Sequence, residues 1–394
     1  MAILKRACDL QAEMTAWRHD LHKHPETAFE EVRTSEVVAG KLAQLGFEVH
    51  RGLAKTGVVG TLRLGRSERR IGLRADMDAL HLQELNDFEH RSLHAGRMHA
   101  CGHDGHTAML LGAACMLSER RRFDGIVHLI FQPAEENEAG GLAMIRDGLF
   151  ELFPVEAVYG MHNIPGIEAG HIHMRAGAQM ASADFFRIVL KGKGGHAAFP
   201  HTVIDPIPAA AHLVSALQTI VSRELSPFEN AVVSVTQMEA GETTNVIPET
   251  AMLRGTTRSF SHEAQQTIEQ AMRRLVQNVA QSHRLSVEFQ YDRRYPPTVN
   301  SPAETLNAER AARATVGDAR VNAAANALMA AEDFGWMLKE KPGCYVFIGN
   351  GTGSRGGCMV HNPNYDFNDE ILAAGASYWV HLVEQQLPME GRGA

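Results

Sequence analysis

The chain lacks the marks of several large protein classes. No uninterrupted apolar run approaches the ~20 residues of a membrane helix, which excludes an integral membrane protein. Cysteine is scarce. Cys8, Cys101, Cys115, Cys344 and Cys358 make an odd count of five at wide spacing, with no CxxC pair. That argues against a disulfide framework or a zinc ribbon and for reduced thiols. There is no basic surplus: 38 Lys and Arg against 46 Asp and Glu give a net charge of −8. A mildly acidic chain without a basic stripe is a poor match to nucleic acid. No Walker loop occurs, so nucleotide binding through that device is excluded. Internal repeats and low-complexity linkers are also missing. The opening MAILKRACDLQAEM meets charge at once and does not read as a signal peptide, so a cytoplasmic location is expected.

What is present is an ordinary globular composition, 44% apolar and 21% charged, over 394 residues, a length comfortable for two domains. The unusual number is 21 histidines, and their positions have to decide their meaning. Helical periodicity runs over Asp9–Leu21 and Thr34–Leu45. Short apolar runs at Val58–Leu64, Ile71–Ala75, Ile126–Phe131 and Val155–Met161 then read as buried strands. Helices such as Thr107–Leu117 lie between them. This predicts an α/β domain with a mixed, mostly parallel sheet flanked by helices. From about Ala183 the order becomes strand Phe185–Lys191, helix Pro206–Glu224, strands Val232–Met238 and Glu249–Arg258, helix His262–His283 and strand Leu285–Tyr291. That order is the split βαβ of an α+β, ferredoxin-like domain. After Pro296–Pro297 the first texture returns, with a strand at Tyr345–Ile348 and a helix near Glu370–Glu384. The expected organisation is a catalytic domain over 1–182 and 295–394, interrupted by an inserted satellite domain over 183–294. The end, Pro388 to Ala394, reads as frayed.

The densest chemistry lies in His99-Ala100-Cys101-Gly102-His103-Asp104-Gly105-His106-Thr107, just before an apolar helix. Thiolate and imidazole suit zinc and the later first-row divalent ions, and Cys101 and His103, two apart in a loop, can address one ion. The competing expectation is a helix entry capped by Asp104 or Thr107, with solvated histidines. Pro133-Ala134-Glu135-Glu136 follows a strand. Adjacent carboxylates there need positive charge opposite them, and one can ligate while its neighbour handles protons. A solvated acidic loop is the alternative. His162 and His361 each follow strands, and in open α/β sheets such positions converge on a site. Asp78 is placed to orient a ligating histidine from behind. In the satellite domain, Gly192–His196 presents an imidazole on a glycine-rich turn, Asn245 an amide, and Arg258 a guanidinium suited to a carboxylate. Turn chemistry and surface charge explain these three equally well. Cys101 could also be read as a nucleophile with His103 or His106 as its base.

Eight segments in order, RADMDAL, GRMHACGHDGHTAMLLGAA, FQPAEE, YGMHN, GKGGHAAFPH, TTNVIPE, AEDF and MVHNPNYDFND, span nearly the whole chain. In them the chain resembles the dinuclear metal aminoacylase/carboxypeptidase family, in the branch of hippurate hydrolases and indole-acetyl-amino-acid hydrolases. The resemblance implies a zinc-exopeptidase-like catalytic domain and a satellite that also dimerises, giving a homodimer or a homotetramer. It implies two divalent metal ions held by Cys101, His103, Glu136, His162 and His361. Manganese or zinc is expected, and cobalt or nickel is also compatible. It implies Glu135 as catalytic base, His196 as an oxyanion donor reaching a partner subunit's site, and Asn245 and Arg258 as holders of the substrate's carboxylate. The implied substrate is a small N-acyl amino acid. Dipeptidase, carboxypeptidase or other deacylase action shares the same motifs. Two departures stand out: His81 replaces the usual proline after ADMDAL, and Asn137-Glu138 replaces a glycine run. Both leave the metal set intact and bear on substrate preference.

Overall fold

The computed structural model describes residues 2–389, so most of the end expected to fray, from residue 390 on, lies outside them. The chain divides into two compact units. The first takes the chain up to Gln179, Val299–Asn326 and the chain from Asp333 on. The second takes Met180–Thr298 and Ala327–Glu332. Among the described residues no helix is long and apolar enough to cross a membrane.

The first unit is built on an eight-stranded sheet. Its strand order is Glu48–Leu53, Gly57–Leu64, Gly125–Gln132, Arg70–Asp76, Ala157–Pro165, Gly343–Gly351, Ile172–His173 and Val321–Asn322. The four central strands run parallel, Arg70–Asp76 pairing with both Gly125–Gln132 and Ala157–Pro165, and the latter with Gly343–Gly351. Gly125–Gln132 and Gly343–Gly351 are buried at every position. A parallel sheet covered on both faces requires that, which is why these strands read as continuous apolar runs.

The helix His103–Arg120 is buried from His103 to Leu117. It starts one turn earlier than its apolar run predicts. Cys101 stays in the preceding loop, but His103, Asp104 and His106 lie in the helix's first turn. Gly102 opens it at φ 92°, where a Cβ would stand 2.1 Å from Asn163 Oδ1. The other expected elements form with shifted ends. The first helical stretch is Lys5–Asp9 followed by Gln11–Lys23. Several elements had no clear signal. Glu48–Leu53 is a polar, exposed edge strand, and Pro302–Val316 is a helix whose buried face is Thr305, Ala308, Ala311, Ala312 and Thr315, too small to stand out as a stripe.

The second unit is an antiparallel sheet of Ala231–Ala240, Thr250–Ser259, Ala183–Lys191 and Ser286–Tyr295, in that order. The helices Pro206–Leu217 and His262–Ser282 supply Leu213, Ile268, Met272 and Val276 to a core shared with Phe186, Ile188, Leu190 and Leu253 of the strands. Asp205 and Ser261 cap these helices through side-chain oxygens. The order of elements is the split βαβ expected from the sequence. The helix expected over Pro206–Glu224 is broken, resuming as Thr219–Arg223.

Candidate metal centre

The parallel strands deliver their chemistry at their C-terminal ends. Arg70–Asp76 leads into Asp78, and Gly125–Gln132 into Pro133–Glu136. His162 sits late in Ala157–Pro165, and His361 comes after Gly343–Gly351. Ligand atoms of Cys101, His103 and His162 lie within 4.8 Å of one another. The same holds for Cys101, Glu136 and His361, and for His103, Glu135 and Glu136. Cys101 Sγ is 3.3 Å from His162 Nε2. Glu136 faces two imidazoles, with Oε2 3.3 Å from His361 Nε2 and Oε1 3.8 Å from His103 Nε2. Asp78 stands behind them: Oδ1 is 3.1 Å from His103 Nδ1, and Oδ2 accepts the Glu136 N–H at 3.0 Å. His361 has φ 61°, and its N–H donates to Ala100 O at 2.7 Å, tying its loop to the Cys101 segment.

These residues fit divalent cations. His103 Nε2 and Glu136 Oε1 are buried, face each other, and have no hydrogen-bond partner among the described residues. Buried polar atoms left unpaired are costly, so the arrangement calls for a positive species between them. The donor set of thiol, imidazoles and carboxylate suits zinc and its neighbours in the first row. The electrostatics agree. Burial opposes charge on His103, but Asp76, Asp78 and Glu136 outweigh it and push the imidazole up to about 10. Burial and the charges of Glu136 and Glu135 push the Cys101 thiol well up, so a thiolate there needs a cation. Burial, then the neighbouring His106, holds His162 down in its neutral, ligating form.

The histidines of the cluster are buried rather than solvated, and neither Asp104 nor Thr107 caps the helix. Asp104 receives His22 Nδ1 at 2.8 Å, and the Thr107 hydroxyl donates to Asp76 O. His106 Nδ1 is 2.6 Å from Asp76 Oδ1, and its Nε2 accepts the Asn163 N–H at 2.9 Å. His106 is engaged on both sides, and the imidazole that Cys101 Sγ meets at hydrogen-bond distance is that of His162.

The sequence reading missed the support beneath the site. Arg74 is fully buried and bonds Gln132 Oε1 at 2.9 Å, Asp76 Oδ2 at 2.5 Å and Asp333 Oδ1 at 3.0 Å. Asp333 in turn accepts from Gln132 Nε2 and the Gly141 N–H, and its own N–H donates to Glu135 Oε1 at 3.4 Å. Arg74, Asp76 and Asp333 all lie inside segments that carry the family resemblance, RADMDAL and AEDF, and that signal could have found them. Glu31 was missed outright. It is buried, accepts the Ala134 N–H and the Thr56 hydroxyl, and is pushed up to about 7 by burial and the nearby Asp78.

Residues 72–385 match the model of peptidase family M20/M25/M40. The chain belongs to that family. A hippurate hydrolase of Campylobacter jejuni is 40% identical over 98% of this chain and 100% of its own length. An N-acetylcysteine deacetylase of Bacillus subtilis is 40% identical over 93% of this chain and 94% of its own, and an IAA-amino acid hydrolase of Arabidopsis thaliana 38% over 95% and 85%. A crystal structure of a Bacillus subtilis dinuclear metal binding peptidase of the M20 family superposes with TM-score 0.83 at 34% identity. It covers 95% of this chain and 97% of its own.

In this M20-family chain the three satellite positions are exposed or half-buried in the second unit. His196 forms a short antiparallel pair with Val246, and its Nδ1 accepts the Ala198 N–H at 3.1 Å. Asn245 is adjacent, its carbonyl accepting the Ala197 N–H. Arg258 lies at the far end of Thr250–Ser259 from that turn. Its guanidinium donates to Thr256 Oγ1 and Thr257 O and approaches the Phe185 ring. Within one chain the structure groups His196 with Asn245 but not with Arg258.

Proposed function

We propose that the protein is a metal-dependent amidohydrolase that cleaves N-acyl amino acids to a carboxylic acid and a free amino acid. The observation that carries this is the buried, facing pair of ligand atoms His103 Nε2 and Glu136 Oε1, without a hydrogen-bond partner among the described residues, beside the carboxylate of Glu135. The relatives named as hippurate, N-acetylcysteine and IAA-amino acid hydrolases support the substrate class.

Two divalent ions, manganese or zinc, held by Cys101, His103, Glu136, His162 and His361, would supply Lewis-acid polarisation of the acyl carbonyl and acidify a water. The chain's own residues do the rest. Glu135 takes the proton of the attacking water and returns it to the leaving amine. Asp78 fixes the ring of His103 and the backbone of Glu136. His196, acting from a partner subunit of a homodimer formed through the satellite unit, donates to the oxyanion. Losing one such donor typically costs about a hundredfold or more in rate. Asn245 and Arg258 hold the substrate's carboxylate. The location is cytoplasmic.

The test is amine release from N-benzoylglycine and N-acetylmethionine before chelation, after it, and after adding back manganese or zinc. Activity that vanishes and returns is expected. Activity indifferent to the chelator overturns the reading.

A further inference from the structure

Glu31 opens the helix Val32–Gln44, far in sequence from every proposed ligand. It is 0% exposed, and among the described residues no Lys or Arg pairs with it. Its bonds come from neutral donors: Oε1 accepts the Ala134 N–H at 2.9 Å and Oε2 the Thr56 hydroxyl at 2.7 Å. Burying a carboxyl group without a cation is unfavourable, so stability alone does not explain an acid here.

Its partner is unusual too. Ala134 is fully buried and holds φ 54°, ψ 43°, a left-handed conformation that a residue with a Cβ rarely adopts. It is held there from both sides, its N–H on Glu31 and its carbonyl accepting the Gly140 N–H at 2.9 Å. Proline 133 has no N–H, so Ala134 offers the first donor after the strand Gly125–Gln132. Two residues on, Asp78 takes the N–H of Glu136. Glu135 therefore sits between two backbone anchors, one carboxyl group before it and one after.

We propose that Glu31 is a positioning residue for the catalytic base: its carboxyl group locks Ala134 in the strained turn that aims Glu135 at the reacting water. This rests on the reading of Glu135 as base. The role needs an acceptor, not a charge. Glu31→Gln keeps an oxygen for Ala134 and can turn its amide to Thr56.

The experiment compares Glu31→Leu, Glu31→Gln, Thr56→Val and Glu135→Gln as full-length, metal-loaded protein, measuring kcat, KM, bound metal per chain and the thermal midpoint. A misplacement of the base by about 1 Å costs on the order of a hundredfold. Glu31→Leu is expected to lower kcat by about 10- to 100-fold, with KM, metal content and thermal midpoint close to wild type. Glu31→Gln should stay within about threefold of wild type. Thr56→Val, which removes only the brace on Glu31, should give a smaller drop in kcat. Wild-type kcat in Glu31→Leu, or in Thr56→Val should Glu31→Leu fail to fold, overturns the proposal. So does equal loss in Glu31→Gln and Glu31→Leu, or loss of metal from Glu31→Leu. Glu135→Gln separates the two levels. If it is inactive while Glu31→Leu is fully active, only the positioning role fails. If it is active, the reading of Glu135 as base fails first.

Discussion

The carboxylate of Asp78 holds His103 and the backbone of Glu136 together, with Oδ1 3.1 Å from the ring Nδ1 and Oδ2 3.0 Å from the amide nitrogen. One side chain thus orients two proposed ligands that come from different elements. Fixing Nδ1 leaves Nε2 of His103 as the atom offered to a metal. Asp78→Ala should weaken metal binding by about 10- to 100-fold, the range found when such an outer partner of a metal-bound histidine is removed. Titration of the metal-free protein with zinc or manganese checks this. An unchanged affinity would show that packing alone fixes His103.

Glu135 is buried, yet its proposed task is to carry a proton rather than to bind an ion. Glu135→Gln keeps the size and the acceptor oxygen that meets the Asp333 N–H, and removes only the basicity. The expected result is loss of kcat by about 10²- to 10⁴-fold. Metal content by elemental analysis should stay that of wild type. A variant that turns over normally, or that loses its metal, assigns Glu135 a different role.

Arg74 sits under the site with no exposure, between Asp76 and Asp333. Removing one partner of a buried ion pair leaves uncompensated charge, here two carboxylates. Arg74→Met should therefore cost about 3–5 kcal/mol in urea denaturation. The exposed pair Arg6–Glu119, with side chains 41% and 47% exposed, gives the contrast. Arg6→Met should cost no more than about 1 kcal/mol. Equal costs in the two variants would mean that the Arg74 network relaxes or takes up water when broken.

The sequence was legible where chemistry and burial coincide along the chain. The parallel strands read as mostly apolar runs because both faces are covered, and their ends could be placed to within a few residues. Cys101, His103, Glu136, His162 and His361 were singled out because they cluster after strands within segments that carry the family resemblance, and the structure brings them into overlapping groups. The supports were harder. Arg74, Asp333 and Glu31 are charged residues of types normally found in water, and only tertiary structure shows them to be buried. Glu31 also follows Glu30 at a helix start, where acids are common for helix-dipole reasons, so its pattern carries no signal. Pro302–Val316 was missed because its buried face is alanine and threonine. Asn245 and Arg258 are grouped by the resemblance alone, and within one chain the strand Thr250–Ser259, which carries Arg258 near its end, sets them apart.

His128, away from the metal centre on the strand Gly125–Gln132, makes acid sensitivity testable. Its Nδ1 meets Thr61 Oγ1 at 2.9 Å, and its Nε2 is buried with no partner among the described residues. Burial, then the charge of Arg70, pushes its pKa down to about 4, against ~6.5 in an unfolded chain. The folded state therefore binds the proton less readily than the unfolded state. The stability tied to the neutral ring is complete above pH ~6.5 and is lost as pH falls from there towards 4, by up to about 3 kcal/mol. His128→Gln does not titrate and can still meet the Thr61 hydroxyl. Other titrating groups act equally in both proteins, so their difference isolates this ring. Urea denaturation at steps from pH 7 to pH 4 should show wild type losing stability relative to His128→Gln, most of it below pH 6. Parallel curves over that range would mean that the ring reaches water or a partner before it takes up its proton.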